Sequence, residues 1–180
     1  GLGLSVVHGI LHNYGGAIFV YSEQGSGTTI TVYIPAIEKH RLPAVSEELQ
    51  LPTGSERILL VDDEPSLIEV GQSLLEKLGY KVTTCGCSLD ALEIFQKGPG
   101  DIDLVISDVT MPKMTGDQLA TQLLQTRKDI PIILCTGFSN KISKERAVQI
   151  GVKALAMKPL LKNEFAYLVR KILDEAKQNK

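Results

Sequence analysis

The sequence predicts an α/β fold with a doubly wound, five-stranded parallel sheet in its larger, C-terminal part. Five short apolar runs are typical of buried strands and lie at residues 58–61, 81–85, 104–107, 132–135 and 154–157. Stretches with helical periodicity separate these runs. Alternating strands and helices favour a parallel sheet covered on both faces, and right-handed crossovers wind that sheet in both directions.

The helical stretches are recognised by apolar residues that recur three or four positions apart. The first of them carries Leu67, Leu74, Leu75 and Leu78; the third carries Leu119, Leu123 and Leu124; the last carries Phe165, Leu168, Val169, Ile172 and Leu173. Gly79 and Gly151 stand where a helix would end and the next strand begin. We expect both glycines to adopt the left-handed conformation that commonly terminates helices.

Three zones differ along the chain. Residues 1–35 are glycine-rich and strand-prone, and we interpret them as a small α+β piece. Residues 36–55 carry Pro43, Pro52 and scattered charges without an apolar period, which indicates a linker. Residues 56–180 hold the alternating pattern. Because the chain starts with Gly1 rather than Met, we interpret it as a fragment, and an upstream anchor in the inner membrane stays open.

The composition is that of an ordinary globular protein, with 43% hydrophobic and 22% charged residues. The formal net charge is −2 and no basic stripe stands out, so we expect no nucleic-acid contact. No apolar run approaches the ~18 residues of a membrane span, so we expect no membrane contact by this fragment. Three cysteines lie in or beside strand-like runs without a second pair of metal ligands, which indicates reduced thiols in a cytoplasmic protein.

Polar side chains follow four of the predicted strands. Asp62 and Asp63 come after the first strand, Asp108 after the third, Thr136 after the fourth and Lys158 after the fifth. Because the carboxyl ends of parallel strands meet at one edge of the sheet, we expect these side chains to lie together. Each residue alone has an ordinary interpretation, as a helix cap, a turn residue or a surface residue. Their joint placement favours a functional site.

The chemistry of this set points to phosphoryl transfer. Three carboxylates brought together repel one another and need a cation, and Mg²⁺ prefers oxygen ligands of this kind. A lysine supplies a further positive charge and a threonine supplies a hydroxyl donor. Together they describe a cradle for a phosphoryl group carried on a carboxylate.

Residues 57–175 resemble the receiver domain of two-component response regulators and hybrid kinases. The matching segments are residues 59–64 (LLVDDE), residues 107–116 (SDVTMPKMTG), Thr136-Gly137 and Lys158-Pro159. The resemblance implies a flavodoxin-like receiver fold and a phosphorelay function. It also implies a histidine-kinase or histidine-phosphotransfer domain as the partner that supplies the phosphoryl group.

The resemblance also implies the role of each acid. Asp108 is the nucleophile that becomes an aspartyl phosphate. Asp62 and Asp63 hold Mg²⁺ together with Asp108, and the backbone carbonyl of Thr110 completes the protein ligands.

Lys158 and Thr136 are implied to act on the phosphoryl group. Lys158 pairs with a phosphoryl oxygen, and Thr136 moves to donate its hydroxyl, which is the switch. Receivers often carry Tyr or Phe three residues before the lysine, whereas this chain has Leu155. That departure puts coupling through an aromatic rotamer in doubt.

The N-terminal piece carries a second resemblance. A helical stretch to about Tyr14, strands near residues 17–21 and 28–34, and a turn at residues 25–27 resemble the end of a histidine-kinase ATP-binding domain. In the whole domain Gly1 and Gly3 would line the lid over the nucleotide. The upstream boxes and a donor histidine are absent from the sequence, so the resemblance implies ATP binding in a full-length histidine kinase and not in this fragment.

Three alternative functions remain to be weighed. A pseudo-receiver that docks without phosphorylation would be expected to lose an acid or the lysine. A haloacid-dehalogenase-type phosphatase would need a second acid two residues after its nucleophile, where Thr110 stands. A flavodoxin-like flavin binder would need a loop rich in Ser, Thr and Gly after the first strand, where Asp62, Asp63 and Glu64 stand.

Overall fold

A computed structural model describes residues 2–36, 51–137 and 144–178. The chain divides into two compact units, Gly1–Glu48 and Leu49–Lys180. Within the described ranges no helix is both long and apolar enough to cross a membrane.

The N-terminal unit consists of one helix and one hairpin. Helix α1 spans Leu2–Asn13, strand β1 spans Ala17–Glu23 and strand β2 spans Gly27–Tyr33. The two strands pair in antiparallel register, and their widest pairing joins Ala17 to Tyr33. The helix and both strands lie where the sequence predicts them, and the first strand runs two residues further.

The C-terminal unit is a five-stranded parallel sheet in the order β4-β3-β5-β6-β7. Its strands are β3 (Arg57–Val61), β4 (Lys81–Cys85), β5 (Leu104–Asp108), β6 (Ile132–Thr136) and β7 (Ala154–Met157). Its helices are α2 (Pro65–Lys77), α3 (Ser88–Lys97), α4 (Gly116–Thr126), α5 (Lys144–Ile150) and α6 (Lys162–Gln178), with a 3₁₀ turn at Pro99–Asp101. The predicted fold class is therefore confirmed.

Two apolar cores cover the two faces of this sheet. Successive strand residues point to opposite faces, so Leu59 packs with helices α3, α4 and α5, whereas Ile58 packs with helices α2 and α6. All residues of strands β5 and β6 are buried. Each fully buried Leu, Ile or Phe side chain contributes about 1.5–3 kcal/mol relative to an exposed one. The buried apolar residues of strands β5 and β6 therefore contribute a large share of the stability of the sheet.

The glycines predicted to terminate helices have the expected conformation. Gly79 and Gly151 have φ angles of 93° and 98°, which L-residues with a Cβ rarely adopt. Beside Gly79, the amide of Gly54 donates a hydrogen bond of 2.9 Å to the carbonyl of Leu78, and Leu51 packs against the core on the α2 and α6 side. The final residues of the predicted linker therefore belong to the C-terminal unit.

Candidate functional site

The polar residues that follow the strands meet at the carboxyl edge of the sheet. Strands β5 and β6 each extend one residue beyond the predicted end, so that Asp108 and Thr136 are their last residues. Asp62 follows β3 and its amide donates to the carbonyl of Cys85. Lys158 follows β7 and its amide donates to the carbonyl of Thr136 at 2.8 Å. Backbone pairing therefore brings residues from four strands to one edge.

Lys158 bridges the two buried acids of the site. Its Nζ lies 2.7 Å from Asp62 Oδ2 and 2.7 Å from Asp108 Oδ1. Burial disfavours the ammonium, but the hydrogen bonds to Asp108 and Asp62 outweigh burial and raise the pKa of Lys158 above its ordinary value. The lysine is therefore a cation at neutral pH. With both acids ionised, the three groups carry a net charge of −1.

The remaining oxygen of each acid accepts a backbone hydrogen bond. Asp108 Oδ2 accepts from the amide of Thr110 at 2.8 Å, and Asp62 Oδ1 accepts from the amide of Glu64 at 3.0 Å. Hydrogen bonds to an ionised carboxylate are stronger than those between neutral groups. Both carboxylates are therefore fixed in orientation as well as in position.

Asp63 occupies a different environment from the two acids beside it. It is exposed, whereas Asp62 and Asp108 are each 6% exposed. Among the described residues, no group of three or more acidic, histidine or cysteine side chains is arranged to hold a metal ion. The structure thus brings together Asp62, Asp108 and Lys158, and it leaves Asp63 exposed at the margin.

The loop after Asp108 is held by contacts that the sequence analysis did not identify. A Cβ on Gly116 would collide with the carbonyl oxygen of Asp108, so helix α4 begins against that strand end only because position 116 is glycine. Lys113, in the same loop, has a φ of 67°, which is uncommon for a non-glycine residue. The hydroxyl of the fully buried Ser88 donates to the carbonyl of Met114 at 2.8 Å. From sequence, Ser88 looks like an ordinary helix-start residue.

Thr136, the expected switch residue, and Leu155, which stands where receivers often carry an aromatic residue, lie on neighbouring strands. The Thr136 hydroxyl donates to the carbonyl of Gly137 over a long 3.3 Å. Leu155 is half-buried, pairs with Leu134 and packs on the α3, α4 and α5 side of the sheet.

The two glycines expected to line a nucleotide lid belong to the N-terminal part of the chain. Gly1 lies outside the described residues, and Gly3 lies within helix α1 of the N-terminal unit.

The three cysteines are all free thiols. Burial raises the pKa of the Cys135 thiol to about 12, so this side chain is neutral beside the charged groups. Burial also raises the pKa of Cys85, whose thiol donates to the carbonyl of Cys87. Neither buried cysteine has the lowered pKa of a reactive thiolate.

Comparisons with known proteins identify similar sequences and structures. A family model described as the response regulator receiver domain matches residues 58–170. The chain is 33% identical to the sensor kinase CckA of Brucella abortus (strain 2308), over 97% of this chain and 20% of that protein. It is also 33% identical to the aerobic respiration control sensor protein ArcB of Escherichia coli (strain K12), over 97% of this chain and 22% of that protein.

Among solved structures, a response regulator receiver domain protein from Clostridium thermocellum superposes with a TM-score of 0.66 at 26% identity. The match covers 69% of this chain and 99% of the other chain. The chain spans about a fifth of the length of the two sensor proteins it matches.

Proposed function

Because this chain belongs to the response regulator receiver domain family, we propose that Asp108 accepts a phosphoryl group from a phosphohistidine. The observation that carries the proposal is the pair of 2.7 Å contacts by which Lys158 holds Asp62 and Asp108 at one point. A buried, fixed carboxylate beside a cation is suited to nucleophilic attack on a phosphoryl group. No observation favours a docking-only pseudo-receiver, because the acids and the lysine are all present.

The proposed phosphoryl transfer exchanges a bond to the donor histidine for a bond to Asp108. One carboxylate oxygen of Asp108 attacks phosphorus and forms a P–O bond, while the P–N bond to the donor imidazole breaks. The imidazole leaves with the bonding electron pair and takes a proton from solvent. Lys158, which contacts Asp108 Oδ1 before transfer, would then pair with a phosphoryl oxygen.

The donor set is compatible with Mg²⁺, because it consists of oxygen atoms alone. Asp62, Asp63, Asp108 and the backbone carbonyl of Thr110 would hold the ion. When bound, Mg²⁺ would supply charge neutralisation between the acids and the incoming phosphoryl oxygens. Asp62 and Asp108 are already oriented by the amides of Glu64 and Thr110. We expect Asp63 to turn from its exposed position when the ion binds.

Thr136 would report the modification to the rest of the unit. A phosphoryl group adds charge and acceptor oxygens next to the end of strand β6. The Thr136 hydroxyl makes a long bond to its neighbouring carbonyl, so redirecting it to a phosphoryl oxygen exchanges a weak contact for a charge-assisted one. The outer face of helix α5 and strand β7, near Leu155, is then the proposed signalling surface.

We further propose that the parent protein is a hybrid sensor histidine kinase. Residues 1–35 would be the end of its ATP-binding domain, residues 36–55 a linker and residues 56–180 the receiver. Similarity to two sensor proteins over 97% of this chain supports the arrangement, because it includes the N-terminal unit. In such a parent, a histidine-kinase or phosphotransfer domain is the phosphodonor, and ATP binds only to the complete kinase domain.

Intact-mass measurement after incubation with acetyl phosphate and Mg²⁺ tests the central proposal. We expect one phosphoryl group per chain in the wild type and none in Asp108→Asn, since the amide is not a nucleophile of this kind. Asp129→Asn is the matched control, because Asp129 is a surface aspartate 3.6 Å from Arg127. Equal labelling of Asp108→Asn and the control would refute the assignment.

A further inference from the structure

The loop between strand β5 and helix α4 carries two backbone groups that the proposed phosphoryl transfer uses. It covers residues 109–115, and the amide of Thr110 donates a hydrogen bond of 2.8 Å to Asp108 Oδ2. The carbonyl of Thr110 is the backbone ligand proposed for Mg²⁺. Thr110 itself is exposed, so the core does not hold its side chain. The position of the loop therefore determines where both backbone groups of Thr110 point.

A strained turn closes this loop. The amide of Met114 donates to the carbonyl of Pro112 at 2.8 Å, and Lys113 between them has a φ of 67°. These are the features of a γ-turn with a positive central φ, which is rare in proteins. A residue with a Cβ loses free energy in this conformation, so the turn persists where neighbouring groups hold it. Without those groups, the loop would relax at Lys113.

Ser88 holds the residue that follows the turn. It is the first residue of helix α3, it is fully buried, and its hydroxyl donates to the carbonyl of Met114 at 2.8 Å. The acceptor lies 26 positions further along the chain, so this hydrogen bond joins the loop to a separate helix. Alanine at position 88 would remove the donor from the Met114 carbonyl and leave that group to find another partner.

We propose that Ser88 is a positioning residue for this site, whose hydroxyl holds the loop so that the backbone of Thr110 faces Asp108 and Mg²⁺. Ser88 acts through Met114 and contacts neither the ion nor the phosphoryl group. The inference rests on the proposed phosphoryl transfer to Asp108. It extends that proposal to helix α3, on which none of the residues assigned to the transfer lies.

Loss of the hydroxyl should change the Mg²⁺ requirement of the reaction. In Ser88→Ala, only a fraction of the molecules would have the loop in the conformation that binds the ion. The apparent affinity falls by that fraction, whereas saturating Mg²⁺ draws the remaining molecules into the binding conformation. We expect half-maximal phosphorylation to need about tenfold more Mg²⁺, as is typical when an outer partner of a metal ligand is lost. The rate at saturating Mg²⁺ should stay close to that of the wild type.

Phosphorylation of the full 180-residue chain by acetyl phosphate, over a series of Mg²⁺ concentrations, measures both quantities. Ile130→Val is the matched control. Ile130 is fully buried in the apolar core that helix α3 shares, and it lies before strand β6, at the end of the sheet opposite the site. This variant should lower the thermal stability and leave the Mg²⁺ requirement unchanged.

A measurement without a phosphodonor separates this proposal from the phosphoryl-transfer proposal. The amide chemical shifts of Thr110 and Glu64, followed by NMR during a titration with Mg²⁺ alone, give the half-saturating concentration directly. We expect the same increase in Ser88→Ala and none in Ile130→Val. This result would support the positioning role even if the wild type accepted no phosphoryl group.

Three results would overturn the positioning role. One is the same Mg²⁺ requirement in the wild type and Ser88→Ala, or no response to Mg²⁺ in either protein. Another is an unchanged requirement with slower phosphorylation at saturating Mg²⁺, because Ser88 would then act in the chemical step. The last is an equal increase in Ile130→Val, because the effect would then follow from a general loss of stability.

Discussion

The two β structures in this chain contain similar residues but differ in burial. Strands β1 and β2 are rich in aromatic and β-branched residues, yet Phe19 and Tyr21 are 61% and 69% exposed. Strands β5 and β6 have the same apolar character, and all of their residues are buried. In the hairpin, paired residues are close in the chain, and the most widely separated pair is Ala17 with Tyr33. In the receiver sheet, the paired strands are separated along the chain by whole helices.

This difference illustrates where the stability of a sheet originates. β-propensity describes how well a side chain fits a pleated, half-buried surface, and it contributes little when the surface stays exposed. A two-stranded hairpin is marginal in water without cover, whereas helices on both faces of strands β5 and β6 exclude water from their hydrogen bonds. We therefore expect the two units to differ in local stability despite their similar residues.

Native-state amide exchange should reveal this contrast most strongly. We expect the amides of strands β5 and β6 to exchange at least about a thousandfold more slowly than those of β1 and β2, because exchange from a core strand requires global opening. Mass spectrometry of peptides from residues 17–33 and 104–136 measures the ratio. Similar protection in the two regions would mean that the hairpin is covered by other parts of the protein and would contradict this expectation.

Two glycines, one from each unit, provide the next test. Gly116→Ala should destabilise the receiver by about 2–4 kcal/mol, because the added Cβ collides with the carbonyl oxygen of Asp108. Gly9→Ala in helix α1 meets no heavy atom within 4 Å and should have a neutral or slightly stabilising effect. Urea unfolding monitored by circular dichroism measures the free energy of unfolding of both variants. Gly116→Ala should also slow labelling by acetyl phosphate, since Asp108 must shift.

A cluster of charged side chains around Glu56 should have a smaller effect on the free energy of unfolding, and this effect should depend on pH. Glu56, just before strand β3, accepts from Arg170 at 2.8 and 3.1 Å and from Lys177 at 2.7 Å. Burial alone would raise the pKa of Glu56, but the hydrogen bonds from Arg170 and Lys177 lower it from 4.5 to about 2. The folded state thus holds this proton less tightly than the unfolded state does.

The contribution of Glu56 to stability should therefore be fully present above about pH 4.5 and be lost as the pH falls towards 2. We expect Glu56→Gln to cost about 2 kcal/mol at pH 7 and to flatten the pH dependence between pH 4.5 and 2. Thermal unfolding across that window measures both effects. Glu69→Gln, on the exposed side of helix α2, should change neither.

The smallest expected effects distinguish a residue that stabilises the receiver by packing from a residue that transmits the effect of phosphorylation. Leu155→Ala should cost about 1–2 kcal/mol, less than for a fully buried leucine, because Leu155 is half-buried on the edge strand β7. Thr136→Ala should leave phosphorylation largely intact and reduce the response of helix α5. Backbone chemical shifts with and without beryllofluoride measure that response. Shift changes across helix α5 that match the wild type would exclude Thr136 as the switch.

Much of the fold could be predicted because its signals are local. Apolar runs located all five strands of the receiver, helical spacing located its first, third and last helices, and Gly79 and Gly151 marked two helix ends correctly. The strand boundaries were less certain: β5 and β6 each include one more residue, because Asp108 and Thr136 pair with neighbouring strands despite their polar side chains. Pairing with a neighbouring strand is not encoded in the periodicity of a single segment.

The sequence by itself determined which residue types follow each strand, and a parallel sheet necessarily brings those strand ends to one edge. Only the tertiary structure decided how the side chains meet there. It places Lys158 between Asp62 and Asp108 and leaves Asp63 exposed. These features arise from the packing of segments far apart in the chain, and the spacing of residues within one segment carries no information about that packing.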